Sequence, residues 1–151
     1  MREEWKGLMV DAMLGSLARR ARLMGVDTLY MRDETDREIT MLSQETGRWL
    51  VTRDRALAER THPRSLLIET TDPDKGWSIL LEWLLAHGVE IKPGSRCSVC
   101  NTPLVPVDAN SLGDRVPEDV REKDEETWLC RGCGRAYWKG SHWSGIMSHG
   151  P

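Results

Sequence analysis

The chain has 151 residues, enough for one domain or two small ones. Apolar residues make up 39% and charged residues 30%. With no Phe and seven Trp, the core must draw its bulk from Trp, Leu and Met. The formal net charge of −3 excludes a uniformly basic protein that coats nucleic acid by charge alone. The longest apolar run, Ile79–Ala86, is interrupted by Glu82 and is too short to span a bilayer. The opening Met-Arg-Glu-Glu-Trp-Lys lacks the apolar stretch of a signal peptide. These features predict a cytoplasmic protein with no membrane partner, in which thiols stay reduced.

In chain order, the apolar run 7–11 reads as a first strand ending in the carboxylate Asp11. Residues 14, 17, 18, 21 and 24 are apolar at the spacing of one helical face, and Gly25 ends that helix. A second strand is expected over 28–31. Thr35 or Asp36 then caps a helix that runs to about Thr46 and closes at Gly47. A third strand, 49–52, precedes a short helix over 55–60, and a fourth strand is expected over 65–69. Trp77, Leu80, Leu81, Leu84 and Leu85 give a helical face within 76–87. Strands separated by helices predict an α/β fold with a parallel sheet.

Composition changes at Lys92-Pro93-Gly94, which divides the chain into segments 1–94 and 95–151. All four Cys lie in the second segment, whose acidic run Pro117–Glu126 reads as a solvated loop. Cys97-Ser-Val-Cys100 and Cys130-Arg-Gly-Cys133 are paired knuckles. Each offers two thiolates from a tight turn, with Gly132 and Gly134 easing the backbone. Two such knuckles complete a closed tetrahedral structural zinc site. A redox CxxC would sit between a strand and a helix, which neither pair does. A rubredoxin-type iron centre is the competing metal.

Acids mark the expected strand ends. Asp11 closes the first strand, Asp33 and Asp36 follow the second, and Asp54 follows the third. Open parallel sheets bind ligands beyond the carboxyl ends of their strands. Carboxylates gathered there would repel one another unless a hard cation such as Mg²⁺ or Mn²⁺ neutralised them. The competing reading makes Asp36 and Asp54 simple helix caps and Asp11 a turn residue. Arginine supplies 11 of the 14 cations in residues 1–94. Arg19, Arg20 and Arg22 lie on the first helix, with Arg19 and Arg22 three apart and therefore on one face. Arg53 and Arg55 flank Asp54. The five together suit a polyanion held at the rim of an acidic groove, or else an ordinary solvated face. Near the end, Tyr137-Trp138-Lys139-Gly140-Ser141-His142-Trp143 interleaves aromatics with cations. This suits base stacking and phosphate contact, or packing of Trp138 and Trp143 against the α/β segment. The tail Ser144–Pro151 is expected to fray.

Four separated motifs carry a family resemblance: Asp11-Ala-Met-Leu-Gly-Ser-Leu-Ala-Arg-Arg-Ala-Arg-Leu-Met-Gly-Val-Asp27, Thr52-Arg-Asp-Arg-Ala-Leu57, Ser95-Arg-Cys-Ser-Val-Cys-Asn101, and Cys130-Arg-Gly-Cys-Gly-Arg-Ala-Tyr-Trp-Lys-Gly-Ser-His142. In this order they resemble the Mut-seven C-terminal RNase domain family, a PIN-like nuclease domain fused to a zinc ribbon. The resemblance implies a PIN-like parallel sheet flanked by helices over 1–94 and a small zinc ribbon over 95–151. It implies metal-dependent cleavage of RNA, single-stranded or structured, with Asp11, Asp36 and Asp54 as catalytic residues holding Mg²⁺ or Mn²⁺. Glu38 competes with Asp36, and Asp33 and Asp74 are candidates for a fourth acid. Arg20 departs from the aromatic expected at its position. Arg19, Arg20, Arg22, Arg53, Arg55, Trp138, Lys139 and His142 are the expected RNA contacts. The alternative is a non-catalytic RNA- or ribosome-binding module with a degenerate acidic site. A toxin-like PIN protein with a cognate antitoxin fits less well, because the ribbon adds a surface such a small nuclease does not need.

Overall fold

A computed structural model describes residues 4–139. Its first sheet is built from β1 (Leu8–Asp11), β2 (Thr28–Met31), β3 (Trp49–Thr52) and β4 (Ser65–Leu67). Helices α1 (Gly15–Leu23), α2 (Asp36–Thr46) and α3 (Arg55–Thr61) connect them, and α4 (Pro73–Ala86) follows. All strand pairs are parallel, in the order β2-β1-β3-β4. Parallel pairing follows from the connections, since a helix must carry the chain back before the next strand can start. Alternation within β1 sorts the two faces. Leu8 and Val10 meet Leu17, Ala18 and Ala21 of α1 and Trp77, Leu80 and Leu84 of α4. Met9 points the other way, to Leu50, Ile39 of α2 and Leu57 of α3. The α/β segment is therefore a three-layer sandwich, as the strand–helix alternation predicts. No described helix is long and apolar enough to cross a membrane.

Local chemistry sets the helix ends. Thr35, not Asp36, is the N-cap of α2. Its hydroxyl accepts from the Glu38 N–H and the Glu38 carboxylate accepts from the Thr35 N–H, a reciprocal capping box. α4 begins three residues earlier than its apolar periodicity predicts. Asp72 accepts from the Asp74 N–H and Pro73 supplies the fixed φ of a first helical residue, neither of which registers as hydrophobic spacing. The fourth strand ends at Leu67 rather than at residue 69.

The order β2-β1-β3 reverses direction between β1 and β3. The ligand crevice of an open α/β sheet lies at such a reversal, outside the carboxyl ends of the strands. Asp11 ends β1 and Arg53-Asp54 follow β3, so both acids flank that point.

The second sheet is antiparallel, β5 (Val105–Val107), β6 (Thr127–Leu129) and β7 (Ala136–Trp138). One cluster gathers Cys97, Cys130, Tyr137, Leu104 and Trp128 with Leu23 from α1. A second gathers Ala109, Leu112, Val116 and Val120 with Val107, Leu129, Ala136 and Trp138. The acidic run expected as a loop contains a short helix, α5 (Glu118–Glu122). Its charges stay exposed while Val120, 3% exposed, anchors it to this second cluster.

The seam between the two sheets is closely bonded. Lys92 N–H donates to Met24 O (2.8 Å), and Gly94 N–H donates to Leu23 O, which fixes the connecting segment along the end of α1. Gly25, at φ +88°, permits this approach, since a Cβ there would lie 2.5 Å from Ser95 Oγ and 2.8 Å from Lys92 O. Asn101 serves the start of edge strand β2, accepting from Thr28 N–H (3.1 Å) and donating to Asp27 (2.8 Å). Asp27 in turn receives a two-pronged Arg48 guanidinium at 3.1 Å for each contact. Burial opposes ionisation of Asp27, but the Arg48 and Asn101 hydrogen bonds hold its carboxyl below the usual range.

Candidate functional site

The thiols come from two copies of one local turn. Asn101 N–H donates to Cys97 O (3.0 Å) and Cys97 N–H to Thr102 O (2.9 Å). Likewise Gly134 N–H donates to Cys130 O (2.7 Å) and Cys130 N–H to Arg135 O (2.8 Å). The residue after each second Cys has positive φ, +69° at Asn101 and +81° at Gly134. Asn and Gly are the residues that adopt this region most readily. Gly132 is needed for a different reason, because a Cβ there would lie 2.5 Å from Thr102 Oγ1 and 3.2 Å from Cys100 Sγ.

All four Sγ atoms lie within 4.8 Å of one another. Cys100 and Cys130 are 3.3 Å apart, and Cys97 and Cys133 are 3.7 Å apart. A tetrahedral Zn–S shell at about 2.3 Å requires sulfur separations of about 3.8 Å, so the donor set fits zinc. Burial resists ionisation here. At Cys100, hydrogen bonds from Thr102, Cys130 and Cys97 outweigh burial and bring the thiol down to about 6. Burial pushes Cys130 up to about 12 and also raises Cys133. Four thiols this close ionise together only against a cation, which is the condition a zinc ion meets. Tyr137 Oη contacts Cys97 Sγ at 3.0 Å and is itself pushed up to about 12 by burial and the neighbouring sulfur.

The acids are arranged differently. Thr52 hydroxyl donates to Asp11 Oδ2 (2.8 Å) and accepts from the Asp54 N–H (3.0 Å), so one side chain ties the ends of β1 and β3 together. Asp54 also caps α3 through the Leu57 N–H (3.2 Å). Asp36 lies in the first turn of α2, 3.9 Å from Arg60. Among the described residues, the three carboxylates do not form a set with ligand atoms within 4.8 Å, as the thiols do. Of the further acids, Glu38 is engaged in the capping box, Asp74 pairs with Arg20 at 3.2 Å, and Asp33 is exposed after β2. The donor chemistry nevertheless suits a hard ion, since every group offered at these strand ends is an oxygen.

The expected cationic rim divides. Arg19 is exposed, but Arg22 is 9% exposed and does not share its face. Arg22 Nε donates to Thr28 O (2.9 Å), and Nη1 donates to Ser98 O (3.1 Å) and Val99 O (2.9 Å). It thus binds the first knuckle instead of facing solvent, because α1 presents its C-terminal turn to the ribbon. Burial lowers the Arg22 pKa, offset by Cys100, Cys97 and Asp27. Arg20 pairs with Asp74 and lies 5.6 Å from the Trp77 ring centre. Arg53 is half-buried with no acceptor for its buried Nε, and Arg55 pairs with Glu69. Trp138 packs on the ribbon's own second cluster rather than against the α/β sheet, and Lys139 pairs with Glu126 at 3.2 Å. His142, Trp143 and the tail 144–151 lie outside the described residues.

The sequence reading missed Thr52 as the link between Asp11 and Asp54, although it opens the Thr-Arg-Asp motif. It also missed Asn101, whose place directly after a CxxC was the available signal for a left-handed turn residue. No curated protein and no solved structure matches the chain. The model of the Mut7-C RNAse domain family matches residues 6–149, nearly the whole length, and the chain belongs to that family.

Proposed function

We propose that this protein is a metal-dependent ribonuclease whose reacting centre lies at the carboxyl ends of β1 and β3. The observation that carries the reading is the Asp11–Thr52–Asp54 linkage at the sheet's topological reversal, in a member of an RNase domain family. Asp11, Asp36 and Asp54 would hold Mg²⁺ or Mn²⁺. When bound, such an ion neutralises charge on phosphoryl oxygens and acidifies water. Thr52 fixes the orientation of Asp11 by holding one carboxylate oxygen, and it fixes the backbone that presents Asp54. Arg53, beside Asp54, supplies positive charge for the phosphodiester. The four thiolates fill a zinc coordination shell, so the ribbon's metal has a structural part.

The test is cleavage of labelled single-stranded RNA with Mn²⁺ by the wild type and by Asp11→Asn. Even groups that merely orient metal ligands are worth about 10–100-fold, so loss of a direct ligand should lower the rate by about 100-fold or more. Undiminished cleavage by Asp11→Asn removes Asp11 from the chemistry. If neither protein cleaves, the non-catalytic RNA- or ribosome-binding reading takes its place.

A further inference from the structure

Three surface depressions lie side by side, each sharing wall residues with the next. The first, about 150 Å³, lies beyond the strand ends, where Arg53 faces Met13, Thr70 and Thr71. It shares Ser16, Leu17 and Pro73 with a second depression of about 220 Å³, which adds Arg19, Arg20 and Leu23. That one shares Ser98 with a third of about 340 Å³ on the ribbon, lined by Val99, Arg115, Arg135 and Trp138. The path thus begins at Arg53, the residue before Asp54 in the chain, follows α1 across the seam, and ends on the Cys-bearing second sheet. From Ser16 to Leu23 of α1 the middle portion alone is about 10 Å long, at a rise of about 1.5 Å per residue.

Five arginines line this path: Arg53, Arg19, Arg20, Arg115 and Arg135. Acids near it offset part of this charge and leave it net positive. Asp74 pairs with Arg20, and Asp72 caps α4. Arg22 and Leu23 hold the seam rigid beneath the groove, because Arg22 grips Ser98 O and Val99 O and Leu23 packs among Cys97, Cys130 and Tyr137. The path also has apolar surface, with Met13 66% and Val99 48% exposed. Cations spaced along a narrow track with apolar and aromatic surface between them match a single strand with its bases splayed. A duplex would hide its bases from these surfaces.

The geometry points to an extended single-stranded RNA as the occupant of this groove, running from the acidic strand ends to Arg115 and Arg135 on the ribbon. The assignment deepens the ribonuclease reading and rests on it for the identity of the strand. The ribbon is then a second contact for the same strand, and affinity grows with length until the strand reaches it.

The experiment measures fluorescence anisotropy of labelled oligouridylates about 3 to 12 nucleotides long, a range typical of single-strand sites, on the zinc-loaded full chain without Mg²⁺ or Mn²⁺. The wild type should bind longer strands more tightly. The Arg115→Ala/Arg135→Ala variant should lose that gain while binding the shortest strands as before. Its log K against log[salt] slope should become shallower by about 1.4, two contacts at about 0.7 each. Zinc content and thermal midpoint establish that the variant is folded. If it loses zinc, Arg19→Ala on α1 carries the test, with a slope change of about 0.7. Equal loss at all lengths, no loss at any length, or tighter binding of a duplex overturns the assignment. Because no cleavage is measured, a catalytically silent protein with this length and salt dependence sinks the nuclease reading alone. Cleavage without any effect of the ribbon arginines sinks only the groove.

Discussion

The ribbon and the carboxyl end of the parallel sheet both collect ligand-type side chains from distant parts of the chain, but by different means. Each ribbon knuckle is a local object. Six residues and two backbone hydrogen bonds aim two thiols, so docking two knuckles assembles all four donors within 4.8 Å. At the sheet, each acid arrives alone on its own strand or helix end and also serves that element. Asp54 caps α3, Asp36 sits near Arg60 in the first turn of α2, and Asp11 is held by Thr52. A site made of repeated local turns is nearly complete before tertiary packing. A site made of strand ends exists only after the sheet order is set.

Stripping the zinc should break the comparison most visibly. Structural zinc in small modules contributes on the order of 10 kcal/mol of folding free energy. Chelation, or Cys130→Ser, should therefore abolish the ribbon's cooperative transition in calorimetry and release the metal seen by elemental analysis. A ribbon that keeps its transition without metal would mean that its two apolar clusters suffice.

Arg22→Ala tests whether the two regions are joined through one side chain. The change leaves the Thr28, Ser98 and Val99 carbonyls without their donor. Unsatisfied buried groups cost about 1–3 kcal/mol each, and with partial rehydration a net loss of about 3 kcal/mol in urea unfolding is expected. Arg22→Lys should recover little, because an ammonium lacks the fork that reaches β2 and the knuckle together.

Acidity should separate the thiol set from the carboxylate set. Cys130 and Cys133 are raised above their ordinary range and must lose protons when zinc binds. Zinc affinity therefore falls as pH drops, by about tenfold per unit for each thiol proton released on binding. Cys100, at about 6, is already ionised at neutral pH and adds to the loss only below that value. Competition with a chromophoric chelator between pH of about 8 and about 6 would show the slope. A flat response would mean that the thiols are ionised before the metal arrives.

The smallest effect on stability belongs to Thr52→Val, whose consequence is mainly chemical. It removes the donor to Asp11 and the acceptor for Asp54 N–H while nearly preserving volume. About 1 kcal/mol of stability should be lost. RNA cleavage should fall by about 10–100-fold, as when a group that orients a metal ligand is removed. An unchanged rate would show that Asp11 needs no positioning.

Much of the α/β segment is legible in the sequence because its signals are periodic or covalently local. The apolar spacing from Leu14 to Met24, the cap at Thr35 and the closing Gly47 each depend on residues within one turn. The start of α4 is less legible, since Asp72 and Pro73 nucleate it without adding to the apolar face. The rim arginines show the limit most clearly. Arg19 and Arg22 share a helical spacing, yet one faces solvent and the other is buried against the knuckle. Helical spacing sets which residues are neighbours, and the position of the ribbon decides which of them meets water.

By itself, the amino-acid sequence determined the grouping of the four thiols and the element order of residues 1–94, because CxxC turns and hydrophobic periods are encoded over a few adjacent residues. Only the tertiary structure decided that Thr52 links Asp11 to Asp54, that Arg22 binds the knuckle, and that adjacent depressions lie along α1 from Arg53 to the second sheet. Each of these depends on segments dozens of residues apart, whose meeting is governed by strand order and by packing across the seam.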